Sequence, residues 1–331
     1  MARITAFIGA YGYGNLGDEL CLIEAMRAFP GGEAHAFSVD AQWTMRCAPG
    51  LSGCFRDGGE MLALRPDRIV FGGGMVGTPE AMDAWMPALA RAQAGGAEIH
   101  LHNLGVAWPP ADRAFIDQTG RNVIAGAASF TVRDYAGVER AARSRFGRMP
   151  RITFFPEADV PAEYDLADAL LPRGGKLLGV SIIPAELMRR CLAHDAGRVC
   201  ALVAEFAGHL VVPIVSTVHA FSDAEDDMAG VVAFLRDFMP DARVASPLLL
   251  DRGHWRREMT PRRLKGLVAR CDVLLTQRKH NAIHAIGSSV RVIGMSPMID
   301  NSLRRTFVAM SHRLPPGSRC VGLDLPAGEA A

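Results

Sequence analysis

Runs of consecutive apolar residues alternate with segments of helical periodicity along the whole chain. Strands that are apolar at every position, rather than at alternate positions, are typical of parallel sheets covered by helices on both faces. The pattern therefore predicts an α/β protein. The predicted strands of the first half are ITAFIG, AHAFSV, RIVFGGG, IHLHNLGV, NVIAGAASFTV and RITFFP.

The same pattern starts again after residues 159–176, a segment rich in Pro, Gly and Asp that we interpret as a linker. We therefore predict two Rossmann-like domains, an N-terminal one over residues 1–165 and a C-terminal one over residues 166–331. Their parallel sheets are expected to face a central cleft with the carboxyl ends of the strands. The predicted strands of the second half are LLGVSII, HLVVPIVSTV, ARVASPLLL, DVLLTQ and VRVIGMS.

The first predicted strand ends in a glycine-rich turn, GAYGYGNLGDE, at residues 9–19. Its glycines match the G-x-G-x-x-G pattern of dinucleotide sites. Asp18 and Glu19, however, place negative charge where a pyrophosphate would need the positive end of the helix, and this disfavours NAD. Together with Asn15 they suit a ligand that carries hydroxyl groups, and Asp18 could act as a base toward one of them. A helix cap without any ligand is the alternative.

A second candidate is the basic turn near the end of the chain. Arg278, Lys279 and His280 follow the strand DVLLTQ and cluster where a helix is predicted to begin. Cations at this end oppose the helix dipole, so the cluster indicates an anion site rather than a stabilised helix. His280 and His284 share a helix face, but no third ligand is evident, and we do not expect a metal. A solvated basic turn remains the alternative.

Further turns at strand ends are expected to line the same cleft. Arg133 precedes Asp134, a good residue for capping the next helix, and would face the same cleft. The alternative is an arginine paired with a neighbouring carboxylate. Gly73 and Gly74 lie in the turn FGGG and would allow a ligand to approach the backbone closely. Weaker candidates for the cleft are His219, Asp223 and His284.

Composition narrows the class of protein. The formal net charge of +1 provides no global attraction for nucleic acid. The seven cysteines form no C-x-x-C pair, which is typical of reduced thiols in a cytoplasmic protein. No apolar run approaches the length of a spanning helix, which is about 18 residues. We therefore expect a cytoplasmic protein that would meet any membrane-linked substrate at the inner face of the membrane.

In order along the chain, the motifs GYGNLGDE, FGGG, SFTVRD and TQRKHNAIHAIGSSVRVIGMS resemble those of the polysaccharide pyruvyl transferase family. The resemblance extends over about residues 7–310 and rests more on the ordered set than on any one motif. It implies a GT-B-like fold. It also implies transfer of the pyruvyl unit of phosphoenolpyruvate to hydroxyls of a sugar or glycan precursor.

Phosphoenolpyruvate carries a carboxylate and a phosphate, and its binding requires several cations. Within this scheme His280 would deliver a proton, Arg278 would stabilise the departing phosphate, and Asp18 would activate the acceptor hydroxyl. Neither a metal nor a further cofactor is needed. The predicted donor-binding residues are Arg133, Arg278, Lys279 and His280; the predicted acceptor-binding residues are Asn15, Asp18, Glu19, Gly73 and Gly74.

Two other functions stay open at this point. A GT-B-type glycosyltransferase would also place basic residues and a helix amino terminus around the diphosphate of a nucleotide sugar. A domain without catalytic activity could bind an anionic ligand or partner with the same residues. The acceptor could be a nucleotide-linked, lipid-linked or oligomeric sugar.

Overall fold

A computed structural model describes residues 2–72, 79–106, 117–143, 146–192, 195–219, 221–222, 225–297 and 302–323. The chain divides into two compact units. The first consists of Met1–Tyr13 and Asp18–Glu157, and the second of Gly14–Gly17 and Ala158–Ala331. The break after Glu157 precedes the predicted boundary because Lys265 of the second unit donates hydrogen bonds to the carbonyl oxygens of Ala158 (2.5 Å) and Val160 (2.6 Å).

The first unit contains a seven-stranded sheet in the order β3-β2-β1-β4-β5-β6-β7, in which every strand pair is parallel. Its strands are β1 (Ile4–Ile8), β2 (Glu33–Phe37), β3 (Gly53–Phe55), β4 (Arg68–Gly72), β5 (Glu98–Leu104), β6 (Ser129–Val132) and β7 (Arg151–Ile152). The helices between them are α1 (Leu16–Ala28), α2 (Ala41–Cys47), α3 (Gly58–Ala63), α4 (Pro79–Ala94), α5 (Gln118–Ala125) and α6 (Tyr135–Arg143).

Helices cover both faces of this sheet because alternate residues of each apolar strand point to opposite sides. On one face Phe7 and Val70 pack with Leu22 of α1. On the other face lies a larger cluster that draws on the central strands and on α4 and α5. Its members include Ile8, Ile69, Phe71, Ile99, Leu101, Leu89, Val123 and Ile124. Burial on both faces is what the uniformly apolar runs predicted.

The second unit contains a five-stranded parallel sheet in the order β12-β11-β10-β8-β9. Its strands are β8 (Leu177–Ser181), β9 (Leu210–Pro213), β10 (Val273–Thr276), β11 (Arg291–Pro297) and β12 (Arg319–Leu323). Its helices are α7 (Asp165–Leu170), α8 (Ala185–Leu192), α9 (Ala196–Ala204), α10 (Asp227–Phe238), α11 (Arg252–Glu258), α12 (Pro261–Ala269), α13 (Lys279–Gly287) and α14 (Ser302–Ala309).

Two predicted strands are wrong. The segment NVIAGAASFTV begins inside α5 and only its end forms β6; the polar residues of QTGRNVIA give that part a helical face. The segment ARVASPLLL contains no strand; Val244 makes one isolated bridge with Val211, and Pro247–Leu250 forms a short 3₁₀ helix that begins at the proline. The sequence patterns also missed β3 and β12.

Each sheet has a point where the strand order reverses, between β1 and β4 in the first and between β8 and β10 in the second. Ligands of open α/β sheets bind outside the carboxyl ends of the strands at such points. The glycine turn follows β1, and the basic turn follows β10. Both motifs therefore occupy the expected binding edge of a sheet. No helix among the described residues is long and apolar enough to cross a membrane.

Candidate active site

Arg278 is held by a buried carboxylate, that of Asp227. The Nε atom of Arg278 lies 2.9 Å from Oδ1 and 3.0 Å from Oδ2 of Asp227, and Nη2 also donates to this carboxylate. Asp227 is fully buried, whereas the side chain of Arg278 is 29% exposed. The Nε–Nη2 edge of the guanidinium is thus anchored, and Nη1 donates no hydrogen bond to a described residue. The exposed edge is suited to an oxyanion.

The carboxylate of Asp227 also binds the chain that follows β9. Ser216 donates its hydroxyl to Oδ2 (3.0 Å), and the backbone N–H of Thr217 donates to the same atom (3.2 Å). Burial raises the pKa of Asp227, although the charge and hydrogen bonds of Arg278 oppose this shift. A buried charge with this many partners fixes the orientation of Arg278 before any ligand arrives.

The second half of the glycine turn pairs with the same segment after β9. The backbone N–H of Leu16 donates to the carbonyl of Ser216 (2.9 Å), and that of Val218 donates to the carbonyl of Gly14 (3.0 Å). Asn15 and Thr217 form an antiparallel bridge between these bonds. This pairing explains why residues 14–17 group with the second unit.

Gly17 lies against the ring of His280. A Cβ atom at Gly17 would lie 1.9 Å from Nδ1 and 2.4 Å from Cγ of His280, so any side chain here would displace the imidazole. The third glycine of the dinucleotide-like pattern therefore makes room for a histidine. Gly12 and Gly14 have φ angles of +89° and +85°, which favour glycine in a tight turn. None of these three roles requires a dinucleotide.

The polar residues of the glycine turn take different positions. Asn15 precedes α1, and its Oδ1 accepts a hydrogen bond from the N–H of Gly17 (3.0 Å), as in a helix cap. Asp18 is half-buried in the first turn of α1. A cap is thus present, but at Asn15 and not at Asp18 or Glu19, for which the alternative interpretation proposed it. The acceptor-binding role of Asn15 and the basic role of Asp18 stay predictions.

Glu19 differs from the prediction that it contacts the acceptor. Its side chain is fully buried, and Oε1 accepts hydrogen bonds from the N–H of Gly12 (2.7 Å) and the hydroxyl of Thr44 (3.0 Å). Desolvation raises the pKa of Glu19 to about 8. The residue supports the turn from inside the first domain and presents no carboxylate to a ligand.

Arg133 follows β6 and is buried in the first domain, with an exposure of 4%. Its Nε donates to the carbonyl oxygen of Asn103 (3.0 Å), and its Nη2 lies 3.5 Å from the Sγ of Cys21. Within the described residues it forms no hydrogen bond with a carboxylate. Burial lowers the pKa of Arg133, but Cys21 and Glu157 raise it, and the net shift is upward. Arg133 is therefore a cation with neutral direct partners.

The remaining predicted residues that the structure describes lie at the starts of helices and in a loop of the second unit. Asp134 caps α6 as expected, accepting a hydrogen bond from the N–H of Gly137 (2.7 Å). Lys279 is the first residue of α13. His219 Nδ1 accepts a hydrogen bond from the N–H of Phe221 (3.1 Å), and its Nε2 lies 3.7 Å from Glu225. Gly73, Gly74 and Asp223 lie outside the described residues.

The prediction that His284 lines a cleft is wrong. Its side chain is fully buried in α13, and desolvation, with a smaller effect of Lys265, lowers its pKa to about 3. His284 is the sixth residue of α13, and the helical period of the apolar positions around it places its ring in the interior.

Two buried carboxylates were not predicted from the sequence: Asp227, which pairs with Arg278, and Glu157, which Asn103 and Cys21 connect to Arg133. Asp227 lies in the run SDAEDD, in which every acidic residue has the same local signal for a helix start. Glu157 follows a short strand in FFPEADV, where nothing distinguishes it from a surface residue. One general rule pointed to such carboxylates: an arginine that is buried needs a carboxylate nearby to compensate its charge.

No protein-family model matches the chain, and no curated protein sequence matches it significantly. Solved structures do match along almost the whole chain. The UDP-GlcNAc 2-epimerase of Methanocaldococcus jannaschii is 9% identical, with a TM-score of 0.53, and the match covers 97% of this chain and 89% of that one. The enzyme of the same name from Neisseria meningitidis, bound to UDP-GlcNAc, is 7% identical (TM-score 0.52; coverage 96% and 87%).

A third match is TcCGT1 in complex with UDP, which is 13% identical with a TM-score of 0.50 and coverage of 98% and 87%. At such low identity a likeness shows the fold and not the activity. The predicted fold class is confirmed: the chain consists of two Rossmann-like domains and has the GT-B-like architecture of these carbohydrate-active proteins.

Proposed function

We propose that this protein is a carbohydrate-active transferase that moves the pyruvyl unit of phosphoenolpyruvate onto hydroxyls of a sugar or glycan precursor. One observation carries the proposal: Gly17 of the predicted acceptor turn lies against His280 of the predicted donor turn. Two motifs more than 250 residues apart in the sequence are thus neighbours in the second unit. The contact places a histidine beside the turn that carries Asn15.

The proposed reaction begins with protonation of the methylene carbon C3 of phosphoenolpyruvate by His280, which breaks the C2=C3 double bond. One sugar hydroxyl forms a bond to C2, and its proton is accepted by Asp18. The C2–O bond to phosphate then breaks, and a second hydroxyl bonds to C2 to complete the ketal. Its proton leaves with the phosphate, and the proton on Asp18 restores His280. The products are a pyruvyl ketal and inorganic phosphate.

The proposed reaction needs positive charge, and each of the two units contains an arginine whose guanidinium is oriented by its partners. Arg278 is oriented by Asp227 through one edge of its guanidinium, and Arg133 is oriented through neutral partners. A preoriented guanidinium stabilises charge that develops on a departing phosphate without reorganising at that moment. Lys279 adds a third cation at the start of α13. No step of this scheme requires a metal.

A glycosyltransferase or related enzyme that takes a nucleotide sugar is the second candidate. The structural likeness favours it, because the matched proteins are named as UDP-GlcNAc 2-epimerases or as a UDP complex. None of these names refers to pyruvyl transfer, so the comparisons support this candidate better than the first. In that case the same Arg278 and α13 amino terminus would bind the diphosphate of the donor.

Ligand-induced stabilisation distinguishes the two candidates. A ligand that binds the folded state raises the midpoint of thermal unfolding by an amount that increases with the ratio of its concentration to its Kd. We expect phosphoenolpyruvate to raise the midpoint of the wild-type protein, and UDP and GDP to leave it unchanged. We also expect Arg278→Lys to reduce the stabilisation by phosphoenolpyruvate, since Lys has no planar guanidinium to donate two parallel hydrogen bonds. Stabilisation by UDP or GDP alone would replace the first proposal by the second.

A further inference from the structure

The segment that follows β7 adopts an unusual backbone conformation. Phe154 and Phe155 both lie in the left-handed region, with φ angles of +55° and +60°. Bulky residues rarely adopt this conformation, because it strains the backbone. Phe155 is buried, and the next turn brings Glu157 into the interior, where its side chain has no exposure. The surrounding fold thus maintains a strained segment that delivers a carboxylate.

Asn103 receives this carboxylate and connects it to Arg133. Its Nδ2 donates to Oε2 of Glu157 (2.8 Å), and its backbone carbonyl accepts the hydrogen bond from Nε of Arg133 (3.0 Å). The hydroxyl of Thr153 lies 2.8 Å from Oδ1 of Asn103 and 2.9 Å from the carbonyl oxygen of Val132, and the carboxylate of Glu157, which can only accept, orients Nδ2 toward it. Asn103 itself lies in the left-handed region, with a φ of +51°. Its position depends on the bonds that its side chain makes.

Cys21 makes the second connection. Its Sγ lies 3.5 Å from Nη2 of Arg133 and 3.9 Å from Oε1 of Glu157. Each oxygen of Glu157 therefore contacts a different partner of Arg133: Oε2 contacts Asn103, and Oε1 contacts Cys21. The anchored atoms of Arg133 are Nε and Nη2, as in Arg278. Nη1 donates no hydrogen bond to a described residue, and with the second N–H of Nη2 it can donate two parallel hydrogen bonds to a carboxylate or phosphate.

We propose that Glu157 is the positioning residue of an oxyanion subsite built on Arg133: through Asn103 and Cys21 it orients the guanidinium without pairing with it directly. A direct ion pair would neutralise the guanidinium. The carboxylate of Glu157, which acts through an intervening residue, compensates the buried charge of Arg133. It leaves the outer N–H groups of the guanidinium to donate to the ligand. The subsite suits the carboxylate or the phosphate of a small anion. This inference rests on the proposed function for the identity of that anion.

The test compares Glu157→Ala with Glu157→Gln in the full chain. The amide oxygen of Gln accepts the hydrogen bond of Asn103, whereas Ala leaves Asn103 without that partner. Without any ligand, we expect the Nε–H resonance of Arg133, assigned by its loss in Arg133→Lys, to be sharp in the wild type and in Glu157→Gln. In Glu157→Ala we expect it to broaden or disappear. An unchanged resonance in Glu157→Ala overturns the inference.

Titration with phosphoenolpyruvate provides the second measurement. We expect Glu157→Ala to bind it about tenfold more weakly than the wild type, and Glu157→Gln to bind within about threefold. Equal loss in both variants, or loss in neither, overturns the positioning role. If the resonance behaves as expected but the wild type binds UDP and not phosphoenolpyruvate, the role of Glu157 holds and the proposed function fails.

Discussion

The α-carbon of Gly17 faces the imidazole of His280 so closely that a methyl group would lie 1.9 Å from Nδ1. The contact joins the glycine turn and the basic turn, which the sequence alone presents as separate motifs. It also assigns a purpose to the glycine that resembles a dinucleotide fingerprint. A glycine is needed at position 17 because a larger residue would collide with His280.

Gly17→Ala should displace His280 and reduce phosphate release from phosphoenolpyruvate at least about a hundredfold, since small misplacements of reacting groups have effects of this size. The matched control is Gly197→Ala, at the same second position of a helix, where a Cβ atom meets nothing within 4 Å. Alanine favours helices by about 1 kcal/mol over glycine. The control should therefore keep its activity and its stability. Full activity in Gly17→Ala would contradict the proposed role of His280.

Asp227→Asn should destabilise the protein and weaken anion binding together. The substitution leaves Arg278 without its charged partner, and loss of a charge-assisted hydrogen bond costs about 1.5–3 kcal/mol. Chemical denaturation measures the change in the free energy of unfolding, and titration with phosphoenolpyruvate measures the affinity. Asp237→Asn, in the exposed last turns of the same helix, is the control and should change neither. Unaltered anion affinity in Asp227→Asn would show that Arg278 needs no support.

Glu19 should make the stability of the protein depend on pH between about 4.5 and 8. Burial raises the pKa of Glu19 from 4.5 to about 8, so the folded state holds its proton while the unfolded state releases it. The stabilising effect is complete below the unfolded-state pKa and is lost as the pH rises toward the folded-state pKa. Each pKa unit corresponds to about 1.4 kcal/mol.

Glu19→Gln mimics the protonated carboxyl and removes this dependence. The free energy of unfolding of the variant, relative to the wild type, should therefore increase from pH 5 to pH 8. Parallel pH profiles for the two proteins would mean that Glu19 titrates normally in the folded state.

His284 should lower the stability of the protein below about pH 6.5 and should have no effect on its activity. Desolvation lowers its pKa from 6.5 to about 3, so the folded state resists a proton that the unfolded state binds. Stability contributed by the neutral ring is thus lost as the pH falls from 6.5 toward 3. His284→Leu removes this loss, so its unfolding free energy relative to that of the wild type should increase as the pH falls from 6.5 toward 3. A large loss of activity in this variant would place His284 in the site after all.

The fold followed from the sequence because parallel sheets leave a direct pattern of apolar runs. Arg278 and His280 were singled out because local motifs mark strand ends and helix starts. Asp227 and Glu157 were not, since Asp227 pairs with Arg278 from a distant segment and Glu157 is connected to Arg133 only through Asn103 and Cys21. The opposite error occurred at Glu19 and His284, whose polar side chains suggested a ligand role. Tertiary burial, which a local pattern does not report, decided both cases.

Transfer of a pyruvyl unit is tested most directly by following the turnover of phosphoenolpyruvate in the presence of acceptor sugars. The wild-type protein is incubated with phosphoenolpyruvate and a panel of nucleotide-linked, lipid-linked and oligomeric sugars, and inorganic phosphate and the sugar product are followed by phosphorus NMR and mass spectrometry. We expect the wild-type protein to form phosphate and a pyruvyl ketal in equal amounts with at least one acceptor, and His280→Ala to form neither product. Glycosyl transfer or epimerisation of a UDP-sugar, without any consumption of phosphoenolpyruvate, would contradict the proposed pyruvyl transfer.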